Sequence, residues 1–124
     1  MALQESLTII TLPAAGDLSS SQYLCVDVNS SGQAAVVGTA GAKGIGVLQN
    51  DPAAAGRDAS VAIAGKTKVV AGAAVTAGAK VQADAAGKAI TAASGDHVFG
   101  IAVTSAGAAN ELFEVVLISQ HLLA

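Results

Sequence analysis

Apolar and polar positions alternate along most of this chain, and the alternation predicts strands. Leu7-Thr8-Ile9-Ile10-Thr11-Leu12 is β-branched and stops at Pro13. Ala14 to Ser21 is rich in Gly, Asp and Ser and predicts a turn region. Tyr23 to Val28 alternates, with Leu24, Val26 and Val28 on one face and Tyr23, Cys25 and Asp27 on the other. Asn29-Ser30-Ser31-Gly32 then predicts a tight turn, and Ala34 to Val37 returns as the second strand of a hairpin.

The same logic continues downstream. Lys43 to Gln49 predicts a strand, and Asn50-Asp51-Pro52 ends it, because proline cannot donate to a ladder. Ala53 to Gly56 is a short connection with room for one helical turn. Ala59 to Ala64 alternates with Val61 and Ile63 inward, and Thr67 to Ala71 follows after Gly65. Lys80 to Asp84 and Lys88 to Ala92 form a hairpin around Ala85-Ala86-Gly87. His97 to Thr104 and Leu112 to Ser119 are the last two strands. Alanine favours helix, but glycine interrupts the Ala-rich stretches, and each interior glycine costs a helix about 1 kcal/mol.

The pattern also repeats. Gly44-Ile45-Gly46-Val47 matches Gly100-Ile101-Ala102-Val103, and each leads through a small-residue loop to an alternating strand, Val61-Ala62-Ile63 or Val116-Leu117-Ile118. Upstream, the hairpin at Val26 to Ala34 matches the one at Val81 to Ala89. Two copies are too few for a solenoid. The fold expected is all-β: a small β-barrel or β-sandwich of two similar β-modules with a pseudo-twofold repeat. Residues 1–124 read as a single β domain, with 1–12 an N-terminal arm or strand outside the repeat, 22–64 the first module and 65–119 the second.

Composition changes this picture in one respect. Hydrophobic residues make up 52% of the chain but aromatics only 2%, so alanine and valine must fill the core. An alanine methyl contributes far less on burial than a leucine side chain, at about 0.8 kcal/mol per CH2. Such a thin core predicts that contacts with other chains complete the fold. Charged residues are 12% of the chain with a net charge of −3, and the six Lys and Arg are scattered, which argues against nucleic acid as a partner. The hydrophobicity argues against disorder. The N-terminal stretch has no basic region ahead of an apolar core, so no signal peptide is expected. No apolar run reaches the roughly 18 residues of a membrane span.

Candidate chemistry is sparse. Cys25 is the single cysteine, so no intrachain disulfide is available, and His97 and His121 are the only histidines. Nucleophilic catalysis needs a base beside the nucleophile, held by a third group, and a zinc site needs several close Cys or His ligands. Asp51, Asp58 and Asp96 lack the spacing of a calcium loop and read as turn residues. Gly41-Ala42-Lys43-Gly44 lacks the Lys-Ser/Thr ending of a phosphate loop. No catalytic, cofactor-binding or metal site is expected, and the chain is read as non-enzymatic.

One resemblance rests on several of these segments together. Gly44-Ile45-Gly46-Val47 leads through Ala53-Ala54-Ala55-Gly56 to Val61-Ala62-Ile63-Ala64-Gly65. Val75 to Val81, Asp84-Ala85-Ala86-Gly87-Lys88 and Gly100-Ile101-Ala102-Val103 follow in order. Over roughly residues 43 to 118 this arrangement resembles the Ala/Gly-rich capsid cement, or head-decoration, proteins of tailed phages. The resemblance implies a β-barrel or β-sandwich that binds the outer surface of the assembled head and stabilises the coat lattice. It also implies the major capsid protein as partner, oligomers that are usually trimers, and no catalytic residues.

Two segments are candidates for oligomer or capsid contact. The last strand is apolar on both faces except at Glu114, with Leu112, Val116 and Ile118 on one and Phe113, Val115 and Leu117 on the other. A strand apolar on both faces is buried on both, so one face could meet another protomer. The N-terminal segment, with Leu7 and Ile9, could pair with a neighbouring sheet edge. The contact candidates are therefore Leu7, Ile9, Leu112, Phe113, Val115 and Leu117. Rival readings are another virion component such as a tail or fibre β-module, a biotinyl/lipoyl-like carrier domain, and a glycan-binding module. The carrier reading lacks a flanked lysine at Lys66 or Lys68, and the glycan reading lacks exposed aromatics beyond Tyr23.

Overall fold

The computed structural model describes residues 7–122, with side-chain surroundings as far as Ile118. The first six residues of the expected arm lie outside it. Nine strands occur among the described residues, and no helix: β1 (Thr8–Pro13), β2 (Cys25–Val28), β3 (Ala34–Val36), β4 (Gly46–Leu48), β5 (Asp58–Val70), β6 (Lys80–Ala83), β7 (Ala89–Thr91), β8 (His97–Ala102) and β9 (Leu112–Leu122). All strand pairs are antiparallel, in the order β3-β2-β4-β5-β9-β8-β6-β7, with β1 added on β5. The sheet curls strongly into a half-barrel.

The order reads as the same module twice. The first half runs β3-β2-β4-β5 and the second β7-β6-β8-β9. Registers match as well: Val26 pairs with Gly46 and Val36, and Val81 with Gly100 and Thr91. Val47 pairs with Ala62 as Ile101 pairs with Val116. Each hairpin is held by the same device. Asn29 Oδ1 accepts the N–H of Ser31 and Gln33, and Asp84 Oδ1 accepts those of Ala86 and Lys88.

Two readings of the repeat are corrected. Gly46, not Gly44, is the counterpart of Gly100, so the matched strings were two residues out of register. The N-terminal strand also belongs to the repeat. β1 lies on Asp58–Ala64 of β5 as the second part of β5 lies on β9, and the bridge Ala14 to Ala34 has its twin in Ala71 to Ala89. The edge that β1 pairs with is thus in its own chain.

β5 joins the halves. Thr67 to Ala71, expected as a separate strand, continues the first without a break. Residues up to Ala64 pair with β1 and β4, and residues from Gly65 pair with β9. Gly65 sits at φ 101°, a region that L side chains rarely enter, and turns the strand there. Before the turn, Ala59 and Val61 line a small core with Ala14, Leu18, Val26, Ala34 and Leu48. After it, Val69 lines a larger core with Phe99, Phe113, Val115 and Leu117. Ile63, expected inward, is 36% exposed because it falls at the register shift between β1 and β5.

The larger core draws on both halves. Cys25, Val37, Val47 and Ala62 of the first half pack with Val81, Phe99, Phe113 and Val115 of the second. Burying a Val or Phe side chain contributes about 1.5–3 kcal/mol. Among the described residues two polar side chains are buried, and both are hydrogen-bonded: Thr67 Oγ1 accepts from Gln49 Nε2 at 2.8 Å, and Gln82 Oε1 accepts from the Ala93 N–H at 2.7 Å.

At Gly46 and Gly100 the neighbouring strand leaves no room for a side chain. A Cβ on Gly46 would run into the Ala62 carbonyl oxygen, and one on Gly100 into Val115 and the Val116 carbonyl oxygen. Gly46→Ala and Gly100→Ala are each expected to destabilise the fold by about 1–3 kcal/mol in denaturant unfolding. Gly16→Ala, with open space around the added methyl, should stay within about 0.5 kcal/mol of the parent.

Candidate docking surface

The six contact candidates separate by environment. Phe113, Val115 and Leu117 point into the larger core and are nearly or fully buried. Their face of β9 is therefore used within the chain. The opposite face carries Leu112, Glu114, Val116 and Ile118, and there Leu112 is 52% exposed. On β1, Ile10 and Leu12 pack against the small core while Ile9 is 47% exposed. Leu7 is half-buried against the larger core.

Two of these residues line neighbouring grooves. Leu112 lines a shallow groove with Lys68, Thr104 and Glu114, and Leu7 lines an adjoining one with Tyr23 and Lys66. Lys68 and Glu114 border both grooves. Their rim is ordered by polar contacts. Lys66 Nζ lies 3.4 Å from Glu114 Oε2, and Thr104 Oγ1 accepts the Glu114 N–H at 2.9 Å. An exposed leucine beside a small, fixed charged rim suits docking to a protein surface, where an apolar centre is ringed by polar groups.

Sequence reasoning did not select Val28, Ile63 and Val103 as contact residues, yet they are 37%, 36% and 44% exposed. The alternation along each strand was visible. What it could not give was which face the curled sheet would leave open.

The residues considered for chemistry are occupied otherwise. The Cys25 side chain is buried, and burial, reinforced by the nearby Asp27 carboxylate, pushes its pKa up to about 12. His97 Nδ1 lies 3.2 Å from the Gly41 carbonyl oxygen, so the ring is used in joining the start of β8 to the turn at Gly41. The His121 side chain lies outside the described part. Among the described residues, no three His, Cys, Asp or Glu side chains are grouped to hold a metal, and no helix is long and apolar enough to cross a membrane.

The Cys25 environment sets a pH dependence. The folded pKa lies above that of a free thiol, so folding holds the proton more tightly than the unfolded chain does. Stability from this group is intact below the free-thiol pKa and falls as pH rises from there toward about 12. Thiol titration at pH 8 should leave the native protein unlabelled until it unfolds. Cys25→Ala should flatten the alkaline loss of stability relative to the parent in melts between pH 8 and 10.5.

Comparison with known proteins agrees with this architecture. The base of the head fibre gp8.5 of bacteriophage phi29 is similar in structure, with a TM-score of 0.67 and 18% sequence identity over 96% of this chain and 100% of that one. No curated protein matches the sequence. The family model for phage cement proteins matches residues 4–118, nearly the whole length, and the chain belongs to the phage cement protein family.

Proposed function

We propose that this protein decorates the outer surface of an assembled phage head, binds the major capsid protein and stabilises the coat lattice. The observation that carries the proposal is the cement-family match over residues 4–118. The family and the head-fibre neighbour are structural phage proteins. In this reading the chain works as a homo-oligomer, a trimer, without catalysis, cofactor or nucleic acid. A protein that binds the intact shell and not its separated subunits stabilises the shell by mass action. A thin core with apolar side chains left at the surface suits a molecule whose role is completed by contact.

Ile9 and Leu112 are the contact residues in this reading, with the Lys68 and Glu114 rim beside Leu112. Co-sedimentation with shells of the cognate phage is expected to carry the protein down, and loaded shells should withstand higher temperature than bare ones. Leu112→Asp and Ile9→Asp should each weaken shell binding about tenfold or more, with an unchanged circular dichroism spectrum. Shells that neither retain the protein nor gain heat resistance would overturn the proposal.

A further inference from the structure

The two halves share one fold, so each surface of one half has a counterpart on the other. The first half presents one face to the second. Cys25, Val37, Val47 and Ala62 on that face are buried in the larger core. Backbone bonds fix the contact: the Cys25 N–H donates to the Gly87 carbonyl at 2.8 Å, and the Gly41 N–H to the Ala83 carbonyl at 2.9 Å. Gln49 donates to Thr67 in the same contact.

The register pairs give the counterparts of this face on the second half. Cys25 corresponds to Lys80, Val47 to Ile101, Gln49 to Val103 and Ala62 to Val116. None of these four is buried, and Val103 is 44% exposed. Gly41 corresponds to Gly95, each in a turn closed by the next residue's N–H. The second half thus carries, half-buried at Ile101 and Val116 and exposed at Lys80 and Val103, the face that the first half has covered.

The covering face repeats too. On the second half it includes Ala83, the hairpin tip at Gly87, and Leu117, which are 1%, buried and 8% exposed respectively. Their counterparts on the first half are Val28, the tip at Gly32, and Ile63. Val28 and Ile63 are 37% and 36% exposed, and Gly32 is open to solvent. Among the described residues, three of the five large exposed apolar side chains therefore sit at counterparts of positions inside the internal contact.

We propose that copies of this protein associate head to tail, the Val28/Gly32/Ile63 face of one copy covering the Ile101/Val103/Val116 face of the next, in an analogue of the contact between its own halves. The occupant is a second copy because the complementary face is on the page, in the same chain. The stem of Lys80 covers apolar surface while its ammonium stays in water. Such an interface joins two different patches, so it closes into a ring or continues as a filament. The proposal deepens the oligomeric part of the function proposed above and rests on it.

Light scattering on the free protein tests the idea, with no shells present. The parent is expected to run well above its 11.9 kDa chain mass. Val28→Glu removes the first patch and Val103→Glu the second, and each variant alone should run as a monomer with an unchanged circular dichroism spectrum. Mixed one to one, they should form a species of two chains, because each retains the patch the other lacks. Ile63→Lys should replace Val28→Glu in that mixture with the same result. A monomeric parent, single variants that assemble like the parent, or a mixture that stays monomeric would overturn the proposal. Shell co-sedimentation is scored separately, so lost shell binding by a still-assembled protein counts against the proposed function alone.

Discussion

Thirteen consecutive residues of β5 hydrogen-bond first to β1 and β4 and then to β9. The strand has to serve two sheet segments that face different cores, and a regular strand cannot do this without turning. Gly65 supplies the turn at φ 101°. The rest follows from that point. The odd-numbered face of β5 passes from the small core to the larger one, and the second half is set against the outer side of the first. Large side chains are scarce, so close strand approach at Gly46 and Gly100 replaces bulk as the means of excluding water.

The paired cores show how one topology accepts two fillings. In the first half Ile45, Leu48 and Ala59 stand where the second half has Phe99, Ala102 and Phe113. Leu48, paired with Val61, becomes Ala102, paired with Val115, while Ala59 two residues along becomes Phe113, so volume has moved from one strand to its neighbour. Interior volume is held nearly constant when cores are refilled, because both voids and overpacking are costly. The larger filling sits in the half that also covers its neighbour.

Much of this was legible in the sequence, for identifiable reasons. Strand positions were, because alternation and Gly-rich turns are local signals, and the hairpins at Asn29 and Asp84 follow from side chains that bond their own turns. The repeat was legible as letters but misaligned. Gly44 resembles Gly100 in its neighbours, whereas the ladder equates Gly46 with Gly100 because they pair with Val26 and Val81, the matching residues of the two hairpins. β1 was missed as a repeat member because Thr8–Pro13 and the end of β5 share position and pairing but hardly any residues. The contact residues were half legible. Alternation on β9 offers two apolar faces, and only the curl of the sheet decides that Phe113 and Val115 turn inward while Leu112 turns out.

The unbroken course of β5 has a mechanical meaning as well. Were the halves joined by a loop, a force drawing them apart would be resisted by side-chain packing and a few hydrogen bonds between surfaces. Here the tension runs through the covalent backbone of a strand clamped by ladders along its length. To part the halves, those ladders must slide in shear, with several hydrogen bonds breaking at once, and cannot unzip one at a time. A molecule that spans a strained surface would transmit load across itself with little stretch.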